Sequence, residues 1–375
     1  MRVFSAGAML MIAVGFALSG TGNGPDRSAA SLQAESSIVN GKPASIADWP
    51  WLASFSLAKR LAPRNRAREL HACGASLLTP TLALTAGHCV ESLSKKELRR
   101  FVVITGRTNL ENESSGQVSA IKRRWMPLTA SGKRRYRNTP EGGATWDLAL
   151  LELKRPSSAG TIRIAGPDEA RAWEPGRRVE TAGWGLRDYR HRFGSARLLS
   201  AGQVMLDSSV CQRSILGSFD RKTMNCLGGP AGIASACLGD SGGPLTAAVG
   251  AERRLVGLTS FGDEKCRGGV RSVDTRVAGA PIRGWLHTTA FNISGIDVIG
   301  RGGPIGPKPT WCRVPRLRKV TPARARDLLR ANRCRLGSIS SDHRTPIARG
   351  RISKSSLPQG WLAPVGTKIG ITVSR

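Results

Sequence analysis

An all-β domain followed by a small α+β unit is the fold class this sequence predicts. Two observations carry the first part. Apolar segments of strand length recur between about residues 38 and 290, and Gly- and Pro-containing turns separate them. Leu52–Leu57 alternates apolar and small residues, which suits a half-buried strand. A third observation carries the second part. Beyond the Gly/Pro run Ile299–Pro309, a helical period appears at Ala325, Leu328 and Leu329, with short strand-like segments after it.

The first elements set the pattern. Trp49-Pro50-Trp51 leads into Leu52–Leu57, where large and small residues alternate as in a half-buried strand. A basic loop follows, with Lys59, Arg60, Arg64, Arg66 and Arg68. Ala75–Leu78 and Leu82–Leu84 read as strands broken by Thr79-Pro80-Thr81. Phe101–Ile104 and Gln117–Ile121 are further strands, and a second basic stretch, expected as loop, runs from Lys122 to Arg137. Later strands are expected at Leu198–Leu206 and Leu255–Ser260.

The chemistry concentrates at Cys237-Leu238-Gly239-Asp240-Ser241-Gly242-Gly243-Pro244-Leu245. A serine hydroxyl becomes a useful nucleophile when its oxygen stands clear of the backbone, a base takes its proton and backbone N–H groups face the developing oxyanion. Glycines on both sides of Ser241 permit the sharp turn this needs, and the N–H groups of Gly239 and Ser241 are the candidate oxyanion donors. The base and its orienting acid must come from elsewhere. His88 stands in Thr85-Ala86-Gly87-His88-Cys89, directly after an apolar run, and Asp147 heads the apolar segment Asp147–Leu151. A carboxylate beside a buried strand calls for a partner. The order His, Asp, Ser differs from the Ser, Asp, His order of α/β-hydrolases, whose elbow also reads Gly-x-Ser-x-Gly.

With these residues in place, the chain resembles the trypsin/chymotrypsin-like serine proteases from about Ile38 to Ala290. The resemblance implies two six-stranded antiparallel barrels with the candidate triad His88, Asp147 and Ser241 in the cleft between them. It implies bridges Cys73–Cys89, Cys211–Cys226 and Cys237–Cys266. Ile38-Val39-Asn40-Gly41 matches the family's mature N-terminus, which implies that a freed α-amino group on Ile38 pairs with Asp240 and organises the oxyanion loop. Ser37 precedes that junction, so self-activation by a trypsin-like specificity is not expected. Ser260-Phe261-Gly262 matches the rail on which an extended substrate pairs as an added strand. Ser235, six residues before Ser241, takes the place of the pocket floor and implies apolar or aromatic preference before the scissile bond. Two departures complicate that expectation: by the same resemblance Ser272 replaces a pocket-wall glycine and narrows the pocket, and Asp274 replaces a neighbouring tyrosine and brings a negative charge that restores some preference for Lys or Arg.

The chain has 375 residues, eight cysteines and a formal net charge of +31. Such a field favours anionic surroundings, or equally reflects generally Arg-rich solvated faces. Nucleic-acid binding is not expected, because no basic run interleaves with aromatics. Met1-Arg2-Val3, the apolar run Ala6–Leu18 and the small residues after it read as a signal peptide over 1–22, with an uncleaved anchor as the alternative. Export agrees with an even cysteine count. Residues 23–37 are expected to be a propeptide, 38–290 the protease domain, 291–311 a linker and 312–375 a separate domain.

That last domain resembles a PASTA domain. The resemblance rests on Val314-Pro315-Arg316-Leu317, on Thr321, Ala325 and Leu329 at four-residue spacing in a helix that Thr321-Pro322 caps and starts, and on Pro364-Val365-Gly366-Thr367-Lys368. It implies a bacterial envelope setting and contact with peptidoglycan or another anionic envelope polymer, with a passive stability module as the alternative. Cys312 and Cys334 remain for a bridge that would tie this small unit together. No metal or cofactor is expected, and the protein is expected to be a monomer acting on polypeptides. The rival reading is a catalytically idle wall-binding protein that uses the protease fold as a scaffold.

Overall fold

The computed structural model describes residues 41–375 except 130–131, 140–142, 187–189, 191–192, 215–218, 229–235, 264, 267–271, 303–310, 344, 358, 360–361 and 365. The segments read as signal peptide and propeptide, together with Ile38 and Ser235, therefore lie outside the described residues.

Six strands close the first barrel: β1 (Leu52–Leu57), β2 (His71–Thr79), β3 (Leu82–Thr85), β4 (Phe101–Thr105), β5 (Gln117–Trp125) and β6 (Ala149–Leu153). Their order round the barrel is β1-β2-β3-β6-β5-β4, with every pairing antiparallel. Phe55, Leu77, Ala83, Val103, Ile121 and Leu151 fill its interior. β1 is buried on both faces rather than one. Its outer-facing Leu52 joins Leu82, Leu84, Leu148 and Leu150 in a second cluster that also takes Trp184, Leu258 and Leu286 from later in the chain. Sequence alternation reports one covered face; tertiary packing covers the other.

The second barrel is built from β7 (Arg178–Gly183), β8 (Leu199–Leu206), β9 (Met224–Gly228), β10 (Pro244–Val249), β11 (Glu252–Phe261) and β12 (Ser272–Thr275). Pairing runs β8-β7-β10-β11-β12-β9 and closes through β8–β9. The helix α1 (Ala280–Ser294) follows and ends on Gly295, which takes a left-handed φ of 73°. The linker expected over 291–311 begins later than the sequence indicated. Val298 and Ile299 are each only 1% exposed, and Gly300 donates its N–H to Ile164 O, so residues 295–300 still belong to the barrel body. The basic stretch after Ile121 is likewise not all loop, because Lys122 to Trp125 continue β5.

Beyond residue 310 the chain forms a small α+β unit. β13 (Trp311–Arg313) pairs antiparallel with β16 (Leu362–Pro364). The helix α2 (Pro322–Ala331) starts on Thr321, whose hydroxyl accepts the Arg324 N–H at 3.3 Å. β14 (Arg335–Asp342), β17 (Lys368–Ser374) and β15 (Ile352–Ser355) make a sheet in that order, β14 parallel to β17 and β15 antiparallel to it. Ala325 and Leu329 of the helix pack with Val314, Leu317, Ile352, Ile369 and Ile371. The Cys312–Cys334 bridge joins the unit's entry to the end of its helix, across a sequence separation of 22. A loop of that length contributes about 3 kcal/mol by restricting the unfolded chain. Replacing both cysteines by serine should therefore lower the stability of residues 312–375 by about that amount. Hydrogen exchange of β14 and β17 in the intact chain should show the loss there, with the barrels unaffected.

Candidate active site

The first barrel delivers two of the three candidate residues. β3 and β6 are neighbours in register, with Thr85 opposite Ala149. The turn leaving β3 therefore lies beside the turn entering β6, and these carry His88 and Asp147. Asp147 is fully buried. Its Oδ1 accepts the His88 backbone N–H at 2.7 Å, and its Oδ2 accepts the His88 Nδ1–H at 2.8 Å. Donation from Nδ1 leaves Nε2 of the neutral ring as the basic atom. Burial opposes the charged imidazolium, but the hydrogen bond and negative charge of Asp147 outweigh it, and the His88 pKa is raised above its ordinary value.

Two groups from the second barrel hold Asp147 in place, one at its carboxylate and one at its backbone. Ser260 at the end of β11 donates its hydroxyl to Asp147 Oδ2 at 2.5 Å, and Thr275 of β12 donates to the Asp147 carbonyl at 2.8 Å. The sequence singled out Ser260 only as part of a substrate rail. Its hydroxyl has a second use as a partner of the buried acid. Trp146, next to Asp147, takes a left-handed φ of 52°, and the Arg135 guanidinium lies over its ring at 4.6 Å.

Ser241 sits where the barrels meet. Gly74 of β2 donates its N–H to Ser241 O at 2.8 Å, and Cys89 Sγ lies 3.9 Å from the same oxygen. A Cβ on Gly74 would come within 2.7 Å of the Gly243 backbone, so only glycine allows this approach. Gly239 and Gly242 flank the serine with φ of 96° and 76°. Among the described residues the N–H groups of Gly239 and Ser241 donate to no other group. Both are free for an incoming oxygen.

Asp240 is turned away from solvent at 1% exposure and accepts N–H groups from Gly185 at 2.9 Å and Cys237 at 3.0 Å. A side chain on Gly185 would meet its carboxylate at 2.5 Å. Burial pushes the Asp240 carboxyl up to about 6 against these two hydrogen bonds. His71, which the sequence reading did not use, braces the same loop. Its Nε2–H donates to Gly239 O at 3.0 Å and its Nδ1 accepts the Ser54 hydroxyl at 2.6 Å. Burial holds its pKa down to about 4, so the ring stays neutral at physiological pH. Its position two residues before Cys73 was the only sequence signal that it lay near the site.

The remaining candidates line the strands behind the serine. The ring of Phe261 is partly buried, and Gly262 is exposed at the mouth. The Ser272 hydroxyl accepts from Gln203 Nε2 at 3.4 Å. Asp274 is 3% exposed. The bridges are Cys73–Cys89, Cys211–Cys226 and Cys237–Cys266, so two of the three flank His88 and Ser241. Several cations of the basic stretches are engaged: Lys59 with Glu113, Arg68 with Glu111, Lys122 with Glu152 and Arg134 with Glu91.

Comparison with known proteins agrees with this geometry. Residues 38–286 match the family model for trypsin. A human protein named transmembrane protease serine 5 is 29% identical over 68% of this chain, which spans only about half of it (52%). A trypsin from Saccharopolyspora erythraea is 27% identical over 64% of this chain and 93% of its own length. Among solved structures, the VesB protease of Vibrio cholerae superposes with a TM-score of 0.53 at 27% identity, covering 68% of each chain. Two closed six-stranded barrels, a His–Asp pair and a glycine-flanked serine at their junction, and a family match across 38–286 lead to one conclusion: the chain belongs to the trypsin family of serine-type endopeptidases.

Proposed function

We propose that the protein is an exported endopeptidase, activated by cleavage before Ile38, that hydrolyses peptide bonds through an acyl-enzyme. Ser241 Oγ attacks the scissile carbonyl carbon while His88 Nε2 takes its proton. The carbonyl oxygen becomes an oxyanion held by the N–H groups of Gly239 and Ser241. Collapse breaks the C–N bond, and the leaving amine takes the proton back from His88. Water then attacks the ester with His88 again as base, and the acid product leaves Ser241 restored. Asp147 keeps the imidazole oriented and stabilises its charged form. The observation that carries this reading is the fully buried Asp147 carboxylate, bonded to both the ring and the backbone of His88, in a fold where the N–H groups of Gly239 and Ser241 are unengaged among the described residues.

Four disulfides support export to an oxidising compartment. No helix among the described residues is long and apolar enough to cross a membrane. Residues 312–375, with their own core and bridge, are read as a PASTA-like module that associates the enzyme with an anionic envelope polymer such as peptidoglycan. Ile38 supplies the freed α-amino group that pairs with Asp240 and sets the oxyanion loop.

N-terminal sequencing of the exported protein, combined with labelling by a fluorophosphonate, tests the proposal. A start at Ile38 with Ser241 labelled is expected. A start upstream, no labelling, and no gain of labelling after treatment with added proteases would overturn it in favour of a binding scaffold.

A further inference from the structure

Two buried polar atoms behind the nucleophile have no hydrogen-bond partner among the described residues: Asp274 Oδ2 and Thr259 Oγ1. They are neighbours. Thr259 of β11 and Asp274 of β12 are opposite each other in register, so their side chains leave the sheet on one face about 5 Å apart. Val273, between Ser272 and Asp274, faces the other way into the cluster of Cys211, Met224 and Cys226. The location relative to the serine is fixed by the backbone. Gly242 donates to Thr259 O at 2.8 Å, and Thr259 donates to Gly243 O at 3.0 Å. The residue after Thr259 is Ser260, which holds Asp147. An unpartnered acid and an unpartnered hydroxyl therefore lie directly behind Ser241.

An isolated carboxylate withdrawn from water is costly unless a partner compensates it. Among the described residues Asp274 has none: its facing neighbours across β9 and β11 are Asn225, whose amide is used by Val256 O and Arg276, and Thr259. Burial alone pushes its carboxyl up to about 7. Folding did not require an acid here, since an apolar side chain would fill the same space without that cost. What rewards the acid is a visiting group that brings charge and N–H donors.

We infer that Asp274 is the specificity-determining acid of the pocket that takes the substrate side chain before the scissile bond, and that with Thr259 it selects lysine or arginine there. The assignment rests on the endopeptidase reading above. It reverses the apolar preference that Ser235 implied: the negative charge comes from β12 rather than from the loop preceding Ser241.

The test uses the cleaved, disulfide-bonded protein, with active sites counted by fluorophosphonate titration. Peptide substrates that vary only at the residue before the scissile bond should show kcat/KM for Lys or Arg exceeding Phe, Leu and Ala by on the order of a hundredfold. Asp274→Asn, which keeps size and removes an unpaired buried charge, should lower kcat/KM for the Lys and Arg substrates by on the order of a hundredfold and so erase that advantage. An aryl amidine should bind the parent protein by calorimetry and bind Asp274→Asn at least tenfold more weakly, a readout that needs no turnover. Preference for apolar residues in the parent, or a cationic preference or amidine affinity unchanged in Asp274→Asn, would overturn the inference. Absence of fluorophosphonate labelling would instead count against the endopeptidase reading, and the amidine measurement would still decide the role of Asp274.

Discussion

Ser241→Ala is expected to lower kcat for peptide hydrolysis by on the order of a millionfold, the scale seen when the nucleophile of such a constellation is removed. The loss is large because three groups act as one device. Asp147 accepts from His88 through both carboxylate oxygens and from Ser260 at Oδ2, so the imidazole is already oriented before substrate arrives. Without the hydroxyl that preparation has no proton to move. Substrate binding should survive, since the pocket strands and the Gly239 and Ser241 N–H groups are untouched. KM should therefore change far less than kcat. A residual acceleration of about 10³–10⁴ over water should persist from the oxyanion donors and binding alone. Active-site-titrated kinetics on one peptide substrate measure both quantities. Hydrolysis retained within a hundredfold of the parent would refute Ser241 as nucleophile.

Some of this site was legible in the sequence for a definite reason. Gly239 and Gly242 had to be glycine because the loop needs positive φ at both, and Gly74 because a second backbone passes against it. Asp147 stood out because a carboxylate at the head of a buried strand must have a partner, and the structure gives it three hydrogen-bonding partners. What the sequence hid was long-range. His71 and Gly239 are 168 residues apart, and their hydrogen bond exists only because the two barrels meet. The second use of Ser260 has the same origin. Periodicity also says nothing about strand direction, so the parallel pairing of β14 with β17 could not be read from their composition. The late start of the linker escaped for another reason. Val298 and Ile299 are too few to mark an element by period, yet they fill the last space against Ile164. Asp274 was visible as an unusual residue, but its lack of any partner only appears once the sheet is assembled.

Asp240 carries the second large effect, and its sign differs between the uncut and cut protein. In the uncut chain the acid is buried and accepts two backbone N–H groups among the described residues, and its carboxyl rises to about 6 from an ordinary 3.8. Between those values the unfolded chain has already lost the proton while the folded chain keeps it. Folding stability of the uncut form should therefore fall as pH rises from about 4 to 6, by about 3 kcal/mol. Asp274 acts in the same direction up to about 7, so Asp240→Asn should remove only part of the slope. Cleavage before Ile38 supplies an α-ammonium. If it pairs with Asp240, the carboxyl drops below its unfolded value, and the pair's stabilisation is present at neutral pH and lost as the solution is acidified through that depressed pKa. Urea unfolding of the Ser241→Ala protein, uncut and cut, across pH 4 to 8 reads both slopes without self-digestion. In the active background, Asp240→Asn should be cut normally yet gain little activity, remaining about 10²–10³-fold below the parent, because the Gly239 and Ser241 donors are no longer held for the oxyanion. Full activation of Asp240→Asn, or identical pH slopes before and after the cut, would mean that the buried acid organises the loop without help from Ile38.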